Sequence, residues 1–401
     1  MKWLLIIPVV WGGSATQEMA KPEYWPSSDE IVLTTEQISR YNASLLAEGT
    51  LDLYDILSAG PEVSGAEVVK AISSYTIPAS YGYLGKDKAT AEKKNAILAS
   101  RNLQAVPAKV KVEYGIVTSP ADLRSFPTKT ACTQDGIISG SLCFDDFQQT
   151  HLWLGEGVLI WHRSADGRWF FVRAKNYAGW VEAENIGLCS REQMLSWLQS
   201  PNFGVALEHK FVNVAGRPMR VMMGTRLPKD ASGSLLAPVR KADGSLETAP
   251  VKIDMEFSNG FLPYTTRNVL KQAFRLLGVP YSWGGADGYN DCSATVLCVY
   301  YCFGIELPRN SSSMRKMVRG NHGKGHKGIL PGSIAVFPGH AMMYVGEKDG
   351  EVFILHDLNA MYSKANVRDQ RSTTIISSTS DIFRKNGVSF ADSMTNYIEV
   401  R

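Results

Sequence analysis

Residues 292–303, CSATVLCVYYCF, are almost continuously apolar, and Gly304 follows them. That pattern predicts a buried helix stopped by a glycine C-cap rather than an amphipathic surface helix. Ahead of it stands YSWGGADGYND (281–291), in which Gly284, Gly285 and Gly288 allow a tight turn and the close approach of a substrate backbone. Cys292 therefore falls in the first turn of the helix. Unpaired backbone N–H groups and the positive end of the helix dipole favour a thiolate there, so the expected thiol pKa is lowered toward neutrality.

A reactive cysteine needs a base, and two histidines follow it. SIAVF (333–337) reads as a strand, Pro338-Gly339 turns the chain, and His340 opens the strand AMMYVG. A second turn at 347–350 leads into VFILHD, which carries His356. Three short strands with turns between them make an antiparallel meander, and both rings can project from it beside the helix start. This is the nucleophile, base and orienting-group pattern of a cysteine hydrolase.

The YxWGG…DCS block, LPRNSS (307–312), the Pro-Gly-Ser before a strand, His340 and His356 together resemble the NlpC-type papain-like cysteine peptidases of bacterial cell walls. The resemblance covers the last third of the chain, in the family's order. It implies an α+β papain-like domain over 262–401, with Cys292 as nucleophile, His340 as base and His356 orienting His340. DCSA stands here in place of the commoner DCSG. Without that context a cysteine on an apolar helix is more often a small core residue, and Cys298 and Cys302 keep that reading. His322 and His326 lie in a Gly- and Lys-rich loop, where solvation is the default and contact with an anionic substrate the alternative.

At 401 residues the chain is long enough for several domains. Forty-two basic against thirty-nine acidic side chains leave a net charge of +3, so no bulk electrostatic case for nucleic acid exists. The start, MKWLLIIPVVWGGSA (1–15), has one Lys, an apolar run and small residues, as a secretory signal does; an apolar first strand is the alternative. The run is too short to span a bilayer, and no later stretch approaches the roughly 20 apolar residues a membrane helix needs. Export to the periplasm or cell envelope, or secretion, is the expectation. Cys132 and Cys143 bracket a Gly- and Ser-rich loop and could pair; Cys189 has no obvious partner. There is no C-x-x-C pair or metal-ligand spacing, so neither a metal nor another cofactor is expected.

The 29–105 region reads as a helical extension and linker. Its first helix opens on a capping box, Thr34 with Gln37, and a second runs through GAEVVKAISS (65–74). From about residue 107 the period changes to two, with strand-like runs at 110–117, 157–162, 168–174 and 178–181. The region 107–190 resembles a bacterial SH3-like barrel, and 200–260 a second, more divergent copy. The expected architecture is thus multidomain: the helical extension, two small SH3-like β-barrels and the papain-like domain.

Peptidases of this type with an SH3-like domain ahead of the catalytic domain are similar to γ-D-glutamyl-diamino acid endopeptidases, which cut peptidoglycan stem peptides with a free N-terminal L-Ala. The resemblance implies that Asp291 and Tyr177 hold that amine, while Ser293 and Ser311 lie near the D-Glu and the diamino acid. Tyr281 is a candidate to lend its hydroxyl and Trp283 to wall the groove; for both, a core aromatic is the even alternative. An inactive wall-binding or peptide-binding protein, and an amidase or acyltransferase on another substrate, remain the alternatives for the whole chain.

Overall fold

The structure, a computed structural model, describes residues 11–140 and 143–401, in two compact units. One comprises the chain up to Leu51 together with Pro263–Tyr281 and Tyr289–Arg401; the other comprises Asp52–Leu262 and Ser282–Gly288.

The first unit is built on a six-stranded sheet in the order Trp11–Gly12, Arg368–Ser378, Glu351–Tyr362, His340–Lys348, Ile334–Phe337, Asn396–Ile398. The pairings are antiparallel except for Trp11–Gly12, which runs parallel to Ile376–Ser377. Two-residue turns make the meander. Phe337 pairs with His340 around Pro338-Gly339, and Lys348 pairs with Glu351 around Asp349-Gly350. Both residues of the second turn have positive φ, the requirement of a tight hairpin whose twist matches its strands. Cys292–Tyr301 forms the helix expected from its apolar run, and it packs against the strands that carry His340 and His356.

The N-terminal helix, Thr35–Ala47, has the reciprocal Thr34–Gln37 capping box. It belongs to this same unit: Asn42 donates to Gly304 O at 2.8 Å and accepts from Glu306 N–H at 2.9 Å, bracing the chain just past the Cys292 helix. The 29–105 segment is therefore not one extension, because the unit boundary at Leu51/Asp52 cuts through it. Of the 1–15 leader reading, residues 1–10 lie outside the described residues, while Trp11–Gly12 are paired into the sheet and Ala15 is buried.

In the second unit, seven strands pair in the order Ile186–Cys189, Glu113–Val117, Gly157–Arg163, Trp169–Arg173, Ala178–Glu182, Ala121–Arg124, Gln148–Leu152. The two ends of that order do not pair among the described residues, so this sheet is not the closed barrel expected for 107–190. The 200–260 region is not a second barrel either. It consists of a three-stranded sheet and two separate two-stranded hairpins, Lys210–Val214 with Arg217–Val221 and Leu235–Arg240 with Leu246–Val251. The physical reason is a shared core: Ala206, Val212, Val221 and Leu227 bury their apolar faces in the same cluster as Leu159, Trp169 and Trp180 of the seven-stranded sheet. These hairpins need no core of their own. Cys132 and Cys143 both carry free thiols rather than the disulfide their spacing allowed. No helix among the described residues is long and apolar enough to cross a membrane.

Candidate active site

Asp291 is the N-cap of the Cys292 helix, its side chain accepting from Ala294 N–H at 2.8 Å. Cys292 is thus the first helical residue, where a backbone N–H has no intrahelical acceptor. The Ala341 backbone N–H lies within hydrogen-bond reach of the Cys292 sulfur and favours its thiolate. That contact brings the sulfur to the start of the His340 strand. The register that pairs Met343 with Leu355 sets His340 diagonally across from His356 on the same sheet face. His340 Nε2 lies 2.9 Å from His356 Nδ1, and His356 Nε2 lies 3.1 Å from Ser377 Oγ. Phe390 packs edge-on against both imidazoles, and Phe337 lies tilted against His340.

The relay is built from neutral groups. Burial pushes His340 down to about 4, opposed by the Asp291 charge and assisted by Arg384. Burial, with the neighbouring His340, pushes His356 well below the ordinary histidine range. The thiol departs from expectation: burial first, then the Asp291 carboxylate, push Cys292 up to about 12, while the Ala341 N–H and Arg309 work in the other direction. Desolvation and the adjacent carboxylate together outweigh the helix terminus. Cys298 and Cys302 are fully buried, their thiols donating to Asn290 Oδ1 and to Cys298 O, as core cysteines do.

Asp291 has a partner that the sequence pattern did not reveal. Arg309 reaches both carboxylate oxygens, Nη1 to Oδ1 at 3.0 Å and Nη2 to Oδ2 at 2.7 Å, and also donates to Ser293 Oγ at 2.8 Å. Ser293 in turn donates to Asp291 Oδ1 at 3.2 Å. The buried guanidinium and carboxylate form a bidentate pair that stiffens the helix start. Oδ1 therefore accepts from Ala294, Ser293 and Arg309, and Oδ2 from Arg309. Tyr281 is buried, and its hydroxyl is pushed up by that burial and then by Cys292, Asp291 and Asp357, which places it in the same polar neighbourhood. Asp357, fully buried next to His356, receives a 3.4 Å hydrogen bond from Thr295 Oγ1; burial and then Asp291 push its carboxyl well above the carboxylate range.

Ser311 opens the short helix Ser311–Met314, partly exposed. Tyr177 and Trp283 belong to the other unit. Tyr177 OH donates to Gln149 Oε1 at 2.8 Å, and Trp283 is 41% exposed with its ring edge-on to Phe144. His322 and His326 keep solvent exposure, as a polar loop predicts, and each also meets an acidic side chain: His322 Nε2 lies 3.0 Å from Glu399 and His326 Nε2 lies 3.4 Å from Glu347.

Comparison with known proteins bears on this arrangement. Residues 278–389 match the NlpC/P60 family, and residues 139–182 match an SH3 domain of the SH3b1 type. The chain carries a C-terminal NlpC/P60 domain. The NlpC/P60 domain holds Cys292, His340, His356 and Ser377 within the matched stretch, and the SH3-type match ends with the Ala178–Glu182 strand. Over 83 residues the chain is 32% identical to the "Probable endopeptidase" of Mycobacterium bovis and to its counterpart in Mycobacterium tuberculosis. That match covers 20% of this chain and about a fifth (21%) of those relatives' length. Among solved structures, an NlpC/P60 endopeptidase from Photobacterium damselae subsp. piscicida is similar over 98% of both chains, with TM-score 0.77 and 19% identity. An NlpC/P60 family protein from Bacillus cereus is similar over 71% of this chain and 99% of its own, with TM-score 0.50 and 16% identity. At those identities the likeness is one of fold.

Proposed function

We propose that the chain is a cysteine endopeptidase that hydrolyses the γ-D-glutamyl-diamino acid bond of peptidoglycan stem peptides bearing a free N-terminal L-Ala. The observation that carries this reading is the placement of Cys292 within reach of Ala341 N–H, the residue after His340, whose ring continues through His356 to Ser377. As Cys292 Sγ bonds to the scissile carbonyl carbon, its proton passes to His340. The resulting imidazolium donates from Nε2 to His356 Nδ1, and His356 donates from Nε2 to Ser377 Oγ. His340 then protonates the leaving amine as the C–N bond breaks, takes a proton from the water that attacks the thioester, and returns it to Cys292 Sγ as the S–C bond breaks and the D-glutamyl carboxylate leaves. The free Cys292 backbone N–H is the donor available to the oxyanion. No metal or other cofactor enters this reading.

Asp291 retains acceptor capacity on Oδ2, but the Arg309 charge beside it lowers its attraction for an ammonium. Tyr177, Trp283, Ser293, Ser311 and Tyr281 enter the proposal as substrate contacts carried by the family resemblance. Export to the envelope belongs to it too, on the apolar start of the chain. Cleavage at Ala15 would remove the Trp11–Gly12 strand, so N-terminal sequencing of the envelope fraction tests that part.

The test is a mass-spectrometric digest of L-Ala-γ-D-Glu-diaminopimelate with its amine free or capped, by the enzyme and by Cys292→Ala. Release of L-Ala-D-Glu from the free peptide alone, abolished by the substitution, is the expected result. Cleavage of both peptides removes the amine requirement and keeps the hydrolase. Binding of the free peptide without cleavage by the unmodified chain would instead establish an inactive peptide-binding protein.

A further inference from the structure

The loop that delivers Cys292 is not folded with the rest of the NlpC/P60 domain. Tyr281 and Asn290 form a parallel bridge at its base, and Tyr281 N–H donates to Ser372 O at 2.9 Å. Between them, Ser282–Gly288 belongs to the compact unit of residues 52–262. Gly284, Gly285, Asp287 and Gly288 all have positive φ, so the loop holds a shape that unconstrained chain does not favour.

One buried side chain of that unit holds it directly, and others brace that side chain. Gln148 Nε2 donates to Gly284 O at 3.3 Å, to Asp122 Oδ1 at 3.1 Å and to Thr150 O at 3.0 Å, and its Oε1 accepts from Arg124 at 3.3 Å. Arg124 is itself fixed by Asp145 at 2.7 Å. His151 Nδ1 lies 2.8 Å from Asp122 Oδ1, and its side chain is 8% exposed. The contacts leave no room at the glycines. A Cβ on Gly284 would come within 2.7 Å of Gln148 Cγ, and one on Gly288 within 3.2 Å of Arg220 and 3.5 Å of His151 Nε2. That Nε2 is buried without a hydrogen-bond partner. Burial and then the Asp122 charge raise the Asp287 carboxyl, with His151 opposing. A buried polar cluster of this kind costs desolvation, and an apolar packing would hold a sheet edge more cheaply. What the cluster adds is direction: the Gln148 amide fixes the Gly284 carbonyl, in a loop that ends four residues before Cys292.

We propose that Gln148, with Asp122 and His151, is a positioning device for the nucleophile, so that the unit carrying the SH3-like domain sets the reactivity of Cys292 by holding loop 282–288. The inference rests on Cys292 being the nucleophile, but not on the identity of the substrate. Gln148→Glu keeps the shape of the side chain and turns its donor into a charge facing the Gly284 carbonyl and Asp122.

The experiment measures Cys292 alkylation by iodoacetamide, kcat and KM on the free-amine stem peptide, and thermal unfolding, for the unmodified chain, Gln148→Glu and Gln148→Met. The expected result is a fall of roughly 10- to 100-fold in kcat and in alkylation rate for Gln148→Glu, with KM within about twofold and a smaller fall for Gln148→Met. A change in melting temperature with unchanged alkylation of the folded protein would overturn the proposal. Hydrogen exchange of the unmodified chain keeps it falsifiable if both variants misfold. The amides of 282–288 should then be as protected as those of Gln148–Leu152, and exchange at the rate of an exposed loop would overturn it. Alkylation that depends on Gln148 in a protein that cleaves no stem peptide would leave the positioning role standing and remove the substrate reading.

Discussion

His151 and His340 each sit in a buried polar cluster of this chain, and they differ in what stands behind the ring. His151 is backed by the carboxylate of Asp122, which despite its burial is held below the usual carboxylate range, chiefly by its hydrogen bond to and the charge of His151. His340 is backed by another imidazole, His356, and then by the Ser377 hydroxyl. On the proposed mechanism, the difference separates a bracing group from a base. A carboxylate behind a ring ties that ring into the hydrogen-bonded cluster around Gln148. A neutral imidazole behind a ring leaves it uncharged at operating pH, ready to accept a proton and pass part of the charge along the relay.

Removing the groups of the second cluster should give graded losses. Cys292→Ala should abolish peptide cleavage, by roughly 10^4-fold or more in kcat/KM, with little change in melting temperature; residual cleavage near the original rate would exclude a thiol mechanism. His340→Ala should cost roughly 10^2- to 10^4-fold in kcat. His356→Ala should cost less, about 10- to 100-fold, because it orients rather than transfers. The sharper variant is His356→Asp, which gives His340 the kind of partner His151 has. An acid limb of the pH–rate profile shifted upward by about one unit or more would show that the missing carboxylate keeps the ring neutral. An unshifted limb would break the comparison.

Stability should carry the same signature at smaller magnitude. The folded-state pKa of His340 lies near 4, below the unfolded value of about 6.5, so its stabilisation is complete above pH 6.5 and is lost as pH falls toward 4. At pH 5 the loss is about 2 kcal/mol, and His356 adds to it. Denaturant melts at pH 7 and pH 5, with His340→Ala showing a smaller difference between them, check this. Asp357 works in the opposite sense. Its folded-state pKa is raised above the unfolded value of about 3.9, so its proton stabilises the fold at low pH and that contribution is lost as pH rises. Asp357→Asn should therefore raise the melting temperature at pH 7, by about 1 kcal/mol in stability, and a fall would mean that the ionised carboxylate is needed.

The legible parts of this molecule are those where one face of one element carries the signal. The Cys292 helix announced itself through twelve apolar-rich residues, the first helix through its Thr34–Gln37 box, and the meander through its two turns. Gln148–Leu152 was illegible because its inward residues include Gln148 and Thr150, polar side chains that break the period-two pattern. Arg309 stands in a short polar stretch with no periodicity, and only the folded chain shows that it binds Asp291. Ser377 meets His356 through the register that pairs Ile354 with Ser377 and His356 with Ile375, a property of two strands and of neither alone. The single core shared by 200–260 and the seven-stranded sheet is likewise a matter of tertiary packing, and so is the desolvation that reversed the expected shift at Cys292.

The central claim is that the resting site holds a neutral thiol facing a neutral imidazole, the proton leaving with the attack and not before it. The rate of Cys292 alkylation from pH 5 to pH 9 tests it most directly. The account predicts a rate that rises about tenfold per pH unit across the range without a plateau, as for a thiol pushed up to about 12, and keeps that slope in His340→Ala. A plateau below pH 8 that disappears in His340→Ala would mean a thiolate–imidazolium pair already formed at rest, and would contradict it.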